Sequence, residues 1–214
     1  MKIAPPSIFL LLGAAVLGGT WLGPLPALAV SSFSAHMAMH MIVVAVASPL
    51  LAFGFAGSRY DPVRQWPALF PPLPISVVEL LVVWAWHAPA LHHLARHSGG
   101  GLIAEQGTFL FCGLLIWLAA FGGERPRGRE RAGAGVAALL LTSMHMTFLG
   151  ALLALTPRPL YAHAGHLAAL TPLEDQHLGG AIMLMVGGIS YLAGGLWLVR
   201  DLLRCAPRKL EVVA

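Results

Sequence analysis

Six long apolar runs leave this chain very little choice of fold. They fall at residues 7–21, 33–55, 75–94, 102–121, 134–155 and 178–199. An α-helix needs about 20 apolar residues to cross a bilayer core. Lipid offers no partner for a free N–H or C=O, so a spanning segment must satisfy its backbone as a helix or close into a barrel. These runs are continuously apolar rather than alternating, which selects the helix. The expectation is an all-α polytopic membrane helix bundle of about six transmembrane helices, one integral membrane domain over residues 1–214. Only 10% of residues are charged and 57% are hydrophobic, whereas soluble domains carry about 25% charge. The lipid bilayer is therefore the first partner implied.

The first run has a second reading. Met1 and Lys2, a short apolar core and Ala27-Leu28-Ala29 have the layout of a signal peptide with a small-residue cleavage site. The single lysine and a spacer lengthened by Pro24 and Pro26 favour a retained helix.

Arginine sets the orientation. Arg59 and Arg64 follow the second run, Arg125, Arg127, Arg129 and Arg131 the fourth, and Arg200, Arg204, Arg208 and Lys209 the sixth. The alternate loops hold Arg96 and Arg158 alone. Cytoplasmic loops collect basic residues, so both termini are expected inside. The net charge of +4 is thus a topology signal and not a nucleic-acid footprint. Cys112 and Cys205 make no disulfide framework.

This orientation gathers the histidines. His36 and His40 head the descending second run, His87 lies with Trp84 and Trp86 near the outer end of the third, and His145 sits at or just outside mid-membrane in the fifth. His177 marks the outer boundary of the sixth, and His92, His93, His97, His163 and His166 fall in outer loops. All ten histidines are therefore expected in the outer half or beyond it.

His36 and His40 are four apart, so they stack on one helix face with Met37, Met39 and Met41 beside them. Polar groups inside a span are costly unless used, and imidazole and thioether suit a soft ion such as Cu(I). A lone histidine here would be an ordinary hydrogen-bonding residue; the interleaved pair points to a metal or a haem. Met144-His145-Met146 repeats the chemistry, although neighbours on a helix point about 100° apart and only one methionine shares the face of His145.

Trp86-His87-Ala88-Pro89 ends the third helix, because the residue before proline leaves the helical region. It offers His87 as a ligand, with Trp86 beside the site or anchoring at the interface. Glu174-Asp175-Gln176-His177 opens the sixth helix. There Asp175 or a neighbour caps the helix, or Asp175, with Glu174 beside it, orients a ligand histidine while His177 adds another ligand. Glu79, the carboxylate well inside a span, is expected to snorkel inward or pair with an arginine. Glu105 is expected in the first turn of the fourth helix, and the loop histidines read as ordinary loop residues. No G-x-S-x-G, H-E-x-x-H, Walker loop or C-x-x-C occurs, so an enzyme is not expected.

From about Ser34 to Leu198 the chain resembles the multi-pass cytochrome c oxidase assembly factor CtaG family. The resemblance rests on His36-Met37-x-x-His40 leading to Pro49-Leu50-Leu51, Trp86-His87-Ala88-Pro89, Met144-His145-Met146 with Gly150-Ala151-Leu152-Leu153, Pro159-Leu160-Tyr161, and Leu173-Glu174-Asp175-Gln176 with Gly179-Gly180. Two places depart from the pattern: Glu105-Gln106, where an acid followed by histidine is expected, and Leu184, where tryptophan is expected. The resemblance implies a bacterial plasma-membrane protein that helps assemble haem–copper oxidase subunits, with copper handling suspected. The expected ligands are His36, His40, His87 and His145, with Met37 or Met41 as soft donors. A haem-binding cytochrome with two axial histidines is the alternative.

Overall fold

Proline and glycine decide where the helices start and break. The computed structural model describes residues 5–123, 129–161 and 170–204, and all regular structure within them is helical. Helix α1 (Pro6–Leu22) is followed by α2 (Leu25–Ser31) after a 47° bend at Gly23-Pro24. Then come α3 (Phe33–Phe55), α4 (Pro72–His87), α5 (Pro89–His97), α6 (Gly99–Phe121), α7 (Arg129–Leu155) and α8 (Pro172–Arg204). By length and apolarity α3, α6, α7 and α8 can each cross a membrane, and the pairs α1–α2 and α4–α5 raise the number of spans to as many as six. The chain is a multi-pass membrane bundle.

Among the differences from the expected helix boundaries, two bear on the site. The third run does not continue to residue 94. Ala88, held extended at ψ 134° before Pro89, ends α4 at His87, and Pro89 starts a new helix bent 72° from it. His92, His93 and His97 therefore lie on a helix instead of a loop, while His163 and His166 fall outside the described residues. The sixth run begins earlier than expected, at Pro172. Thr171 Oγ1 accepts from the Glu174 N–H at 3.3 Å and the Glu174 carboxylate accepts from the Thr171 N–H at 2.7 Å, a reciprocal cap.

Pro49 inside α3 removes a helical donor, and the helix answers with a π turn over Val43–Ala47. The exposed carbonyls find other donors. Ser48 Oγ donates to Val43 O at 2.8 Å, Trp117 Nε1 to Val44 O at 3.2 Å and Ser190 Oγ to Ala45 O at 2.8 Å. Thus the break in α3 is stitched to α6 and α8. A second π turn, Met183–Gly187, lies in α8.

Glycine sets how closely α7 and α8 approach. A Cβ at Gly180 would lie 2.7 Å from Gly150 O, and one at Gly150 would lie 2.7 Å from Leu184 N, both backbone atoms that cannot yield.

Glu79 does not snorkel, and among the described residues it meets no arginine. It is fully buried on α4, where it accepts from Tyr191 Oη of α8 at 2.7 Å and Thr142 Oγ1 of α7 at 3.0 Å. Ser76 extends this network to Thr142 at 2.9 Å. Neighbouring helices supply hydroxyls at its own depth, so the carboxylate needs no route to the surface.

Candidate metal centre

The head of α3 is held from another helix. Asp175 of α8 accepts from the N–H of Phe33 at 2.6 Å, the N–H of Ser34 at 3.1 Å, Ser32 Oγ at 3.0 Å and Ser34 Oγ. These amides belong to the first turn of α3, where helical donors have no partner of their own and negative charge is favoured. Among the described residues Asp175 thus caps α3, and neither its own helix nor a histidine. It fixes the helix that carries His36 and His40, less than a turn from the first of them.

From that anchor the two histidines project into the interior, and both are fully buried. His36 meets His92 of α5 edge to face, with ring centroids 4.9 Å apart, and its Nε2 lies 3.7 Å from Glu105 Oε1 of α6. The candidate ligand atoms of His36, His92 and Glu105 all lie within 4.8 Å of one another, close enough to share one ion. One turn deeper, His40 packs on Phe109 at 3.9 Å and faces His87 at 5.6 Å. His145 of α7 lies within electrostatic reach of His40.

The polar atoms of this cluster are poised for a guest. Among the described residues, neither ring nitrogen of His36, His40 or His145 has a hydrogen-bond partner, although all are buried. A buried polar group left unmatched costs about 1–3 kcal/mol, so these nitrogens are the atoms through which the cluster can act as a ligand set. His87 is fixed more tightly. Its Nδ1 lies 2.6 Å from Val83 O, and a carbonyl can only accept, so Nδ1 carries the proton and the unpartnered Nε2 presents its lone pair. A donor set of imidazoles with one carboxylate fits a borderline transition-metal ion.

Glu105 is placed by its neighbours. Its Oε2 accepts from Arg96 of α5 and from Gln106 Nε2 at 3.3 Å, while Oε1 stays turned toward His36. It is fully buried and not in the first turn of α6, which begins at Gly99. Gln106 stands where the family pattern expects histidine, and its amide also accepts from Trp21 Nε1 of α1 at 3.3 Å. Aromatic rings close the end of the site. Phe33 and Tyr161 stack at 4.6 Å, Tyr161 packs on His92 at 4.3 Å, and Tyr161 Oη donates to His87 O at 2.6 Å.

Not every sequence candidate lies here. Met37 and Met41 are buried toward α8. A Cβ at Gly179 would stand 3.0 Å from Met37 Cγ, and one at Gly187 would stand 3.5 Å from Met41 Sδ. Met144 is 64% exposed, whereas Met146 is buried beside Gly187. His177 spends Nε2 on Thr156 O at 2.8 Å, at the end of α7. Trp86 donates to Thr108 Oγ1 at 2.9 Å, and Glu174 caps its own helix. Conversely, sequence reading undervalued His92, Arg96 and Glu105. The available signal was Pro89, which starts a helix that puts His92 and Arg96 four apart on one face.

Comparison with curated proteins and with solved structures finds no match. One family model matches residues 4–205, nearly the whole chain, and its description is cytochrome c oxidase caa3 assembly factor. The matched region contains every helix described above, and with it the histidine cluster. The chain belongs to the caa3-type cytochrome c oxidase assembly factor family.

Proposed function

We propose that this assembly factor holds copper as cargo among His36, His92 and Glu105, with His40, His87 and His145 beneath them, and passes it to an oxidase subunit. The observation that carries the reading is the convergence of three ligand atoms within 4.8 Å, in a buried cluster whose His36 nitrogens have no partner among the described residues. Delivery needs a site that releases its ion, and imidazoles with one carboxylate hold copper less tightly than a closed thiolate cage. Met37 and Met41, one position round α3 from the histidines, are the thioethers that this reading adds as soft donors for Cu(I).

The setting that goes with this reading is the bacterial plasma membrane, with both termini cytoplasmic as the arginine distribution expects. The cluster then lies toward the outer side, where a subunit can receive the ion. The role is non-catalytic, because the residues bind and release without bond chemistry. A bis-histidine haem would need a macrocycle between its two ligands, and the tight approach of His36, His92 and Glu105 favours a single ion instead.

Metal analysis and an absorption spectrum on the purified protein test both. Copper retained by the wild type and lost in His36→Ala/His40→Ala supports the reading. Equal copper in both proteins, or a Soret band that disappears with His36→Ala or His145→Ala, overturns it.

A further inference from the structure

Arg96 is a cation buried within a donor set suited to holding a cation. Its Nη2 donates to Glu105 Oε2, and its Nη1 donates to the Ala29 carbonyl of α2 at 3.4 Å. The same carboxylate turns Oε1 toward His36 Nε2, 3.7 Å away. Glu105 therefore faces two rivals, a guanidinium on one oxygen and any ion held by His36 and His92 on the other. In a poorly polarisable interior those two positive charges repel strongly at a separation of a few ångströms.

We propose that Arg96 is a positioning residue that competes with the bound ion for Glu105 and so sets how readily the site releases it. This rests on the copper reading above. When the ion is bound, Glu105 neutralises it at the expense of its pair with Arg96. When the ion leaves, the pair re-forms, and the empty site is not left with an uncompensated buried carboxylate. Release then requires no helix to unwind. Arginine suits the task better than lysine, because its planar fork holds the Ala29 carbonyl and Glu105 together. His92, one turn before Arg96 on α5, places a donor and the competitor on the same helix.

The test measures Cu(I) affinity against a chromophoric chelator, together with dissociation rate, on the full chain in detergent. Arg96→Gln and Arg96→Met are expected to bind Cu(I) at least about 10-fold tighter than wild type and to release it more slowly. In a Glu105→Gln background the gain from Arg96→Gln should shrink to within about 3-fold, because the object of competition is gone. A purely structural salt bridge would instead lower thermal stability and weaken binding. Unchanged or weaker binding in both folded arginine variants overturns the proposal, as does failure of both to accumulate as folded protein. A wild type that takes up no Cu(I) overturns the copper reading and this role with it.

Discussion

The cap on α3 gives a prediction that separates two roles for one carboxylate. Asp175→Ala removes the acceptor of two backbone amides, Phe33 and Ser34, and of the hydroxyls of Ser32 and Ser34. The hydroxyls lie 3.1 Å apart and can turn to one another, so much of their loss is recovered. The amides cannot turn, and each buried N–H left without an acceptor costs about 1–3 kcal/mol. The expected destabilisation is about 3–5 kcal/mol, typical of breaking a buried network built on a charge. Asp175→Asn keeps one carbonyl oxygen for an amide and should cost roughly half as much. Equilibrium unfolding in mixed micelles, followed by tryptophan fluorescence and helical circular dichroism, reads both. Copper affinity should fall in the same order, because the freed helix end carries His36. A folded Asp175→Ala protein within about 1 kcal/mol of wild type would refute the cap. So would lost copper binding with unchanged stability, which would return Asp175 to the metal site.

Three further outcomes are expected. Glu79→Leu should destabilise by about 2–4 kcal/mol, since it removes the acceptor that Tyr191 and Thr142 share in a buried network, whereas Glu79→Gln should stay within about 1 kcal/mol; thermal unfolding in detergent checks the contrast. Gly180→Val places side-chain carbons against the backbone of α7 and should cost about 3 kcal/mol or more, while Gly107→Ala, with open space around its Cβ, should gain about 0.5–1 kcal/mol in the same assay. His177→Ala and Met144→Ala should leave copper stoichiometry and affinity unchanged, whereas His92→Ala should lower affinity; competition with a chelator decides.

Most of the architecture could be read from the chain, because lipid reduces folding to runs of apolar residues and the prolines between them. The spacing of His36 and His40 already placed them on one face, and Ala88-Pro89 already ended α4. What escaped depends on which helices become neighbours. Asp175 stands well over a hundred positions from the amides it caps, and its own helix offered it an equally reasonable task. Glu79 invited an arginine partner because the sequence does not show that Tyr191 and Thr142 arrive at its depth. Glu105 and Arg96 reach each other only after α5 folds back over α6, and that turn is set by Ser98, whose hydroxyl accepts from the Gly101 N–H at 3.1 Å. Periodicity identified the donors, and tertiary contact chose among them.

The 72° turn at Ala88 also bears on what surrounds the histidine cluster. It sets the nine residues of α5 on a new course between Ala88 and Ser98. Ala88 and Ser98, both extended, bound that helix. His92 and Arg96 both ride on this one short helix, so a candidate ligand and the guanidinium that pairs with Glu105 share a single support.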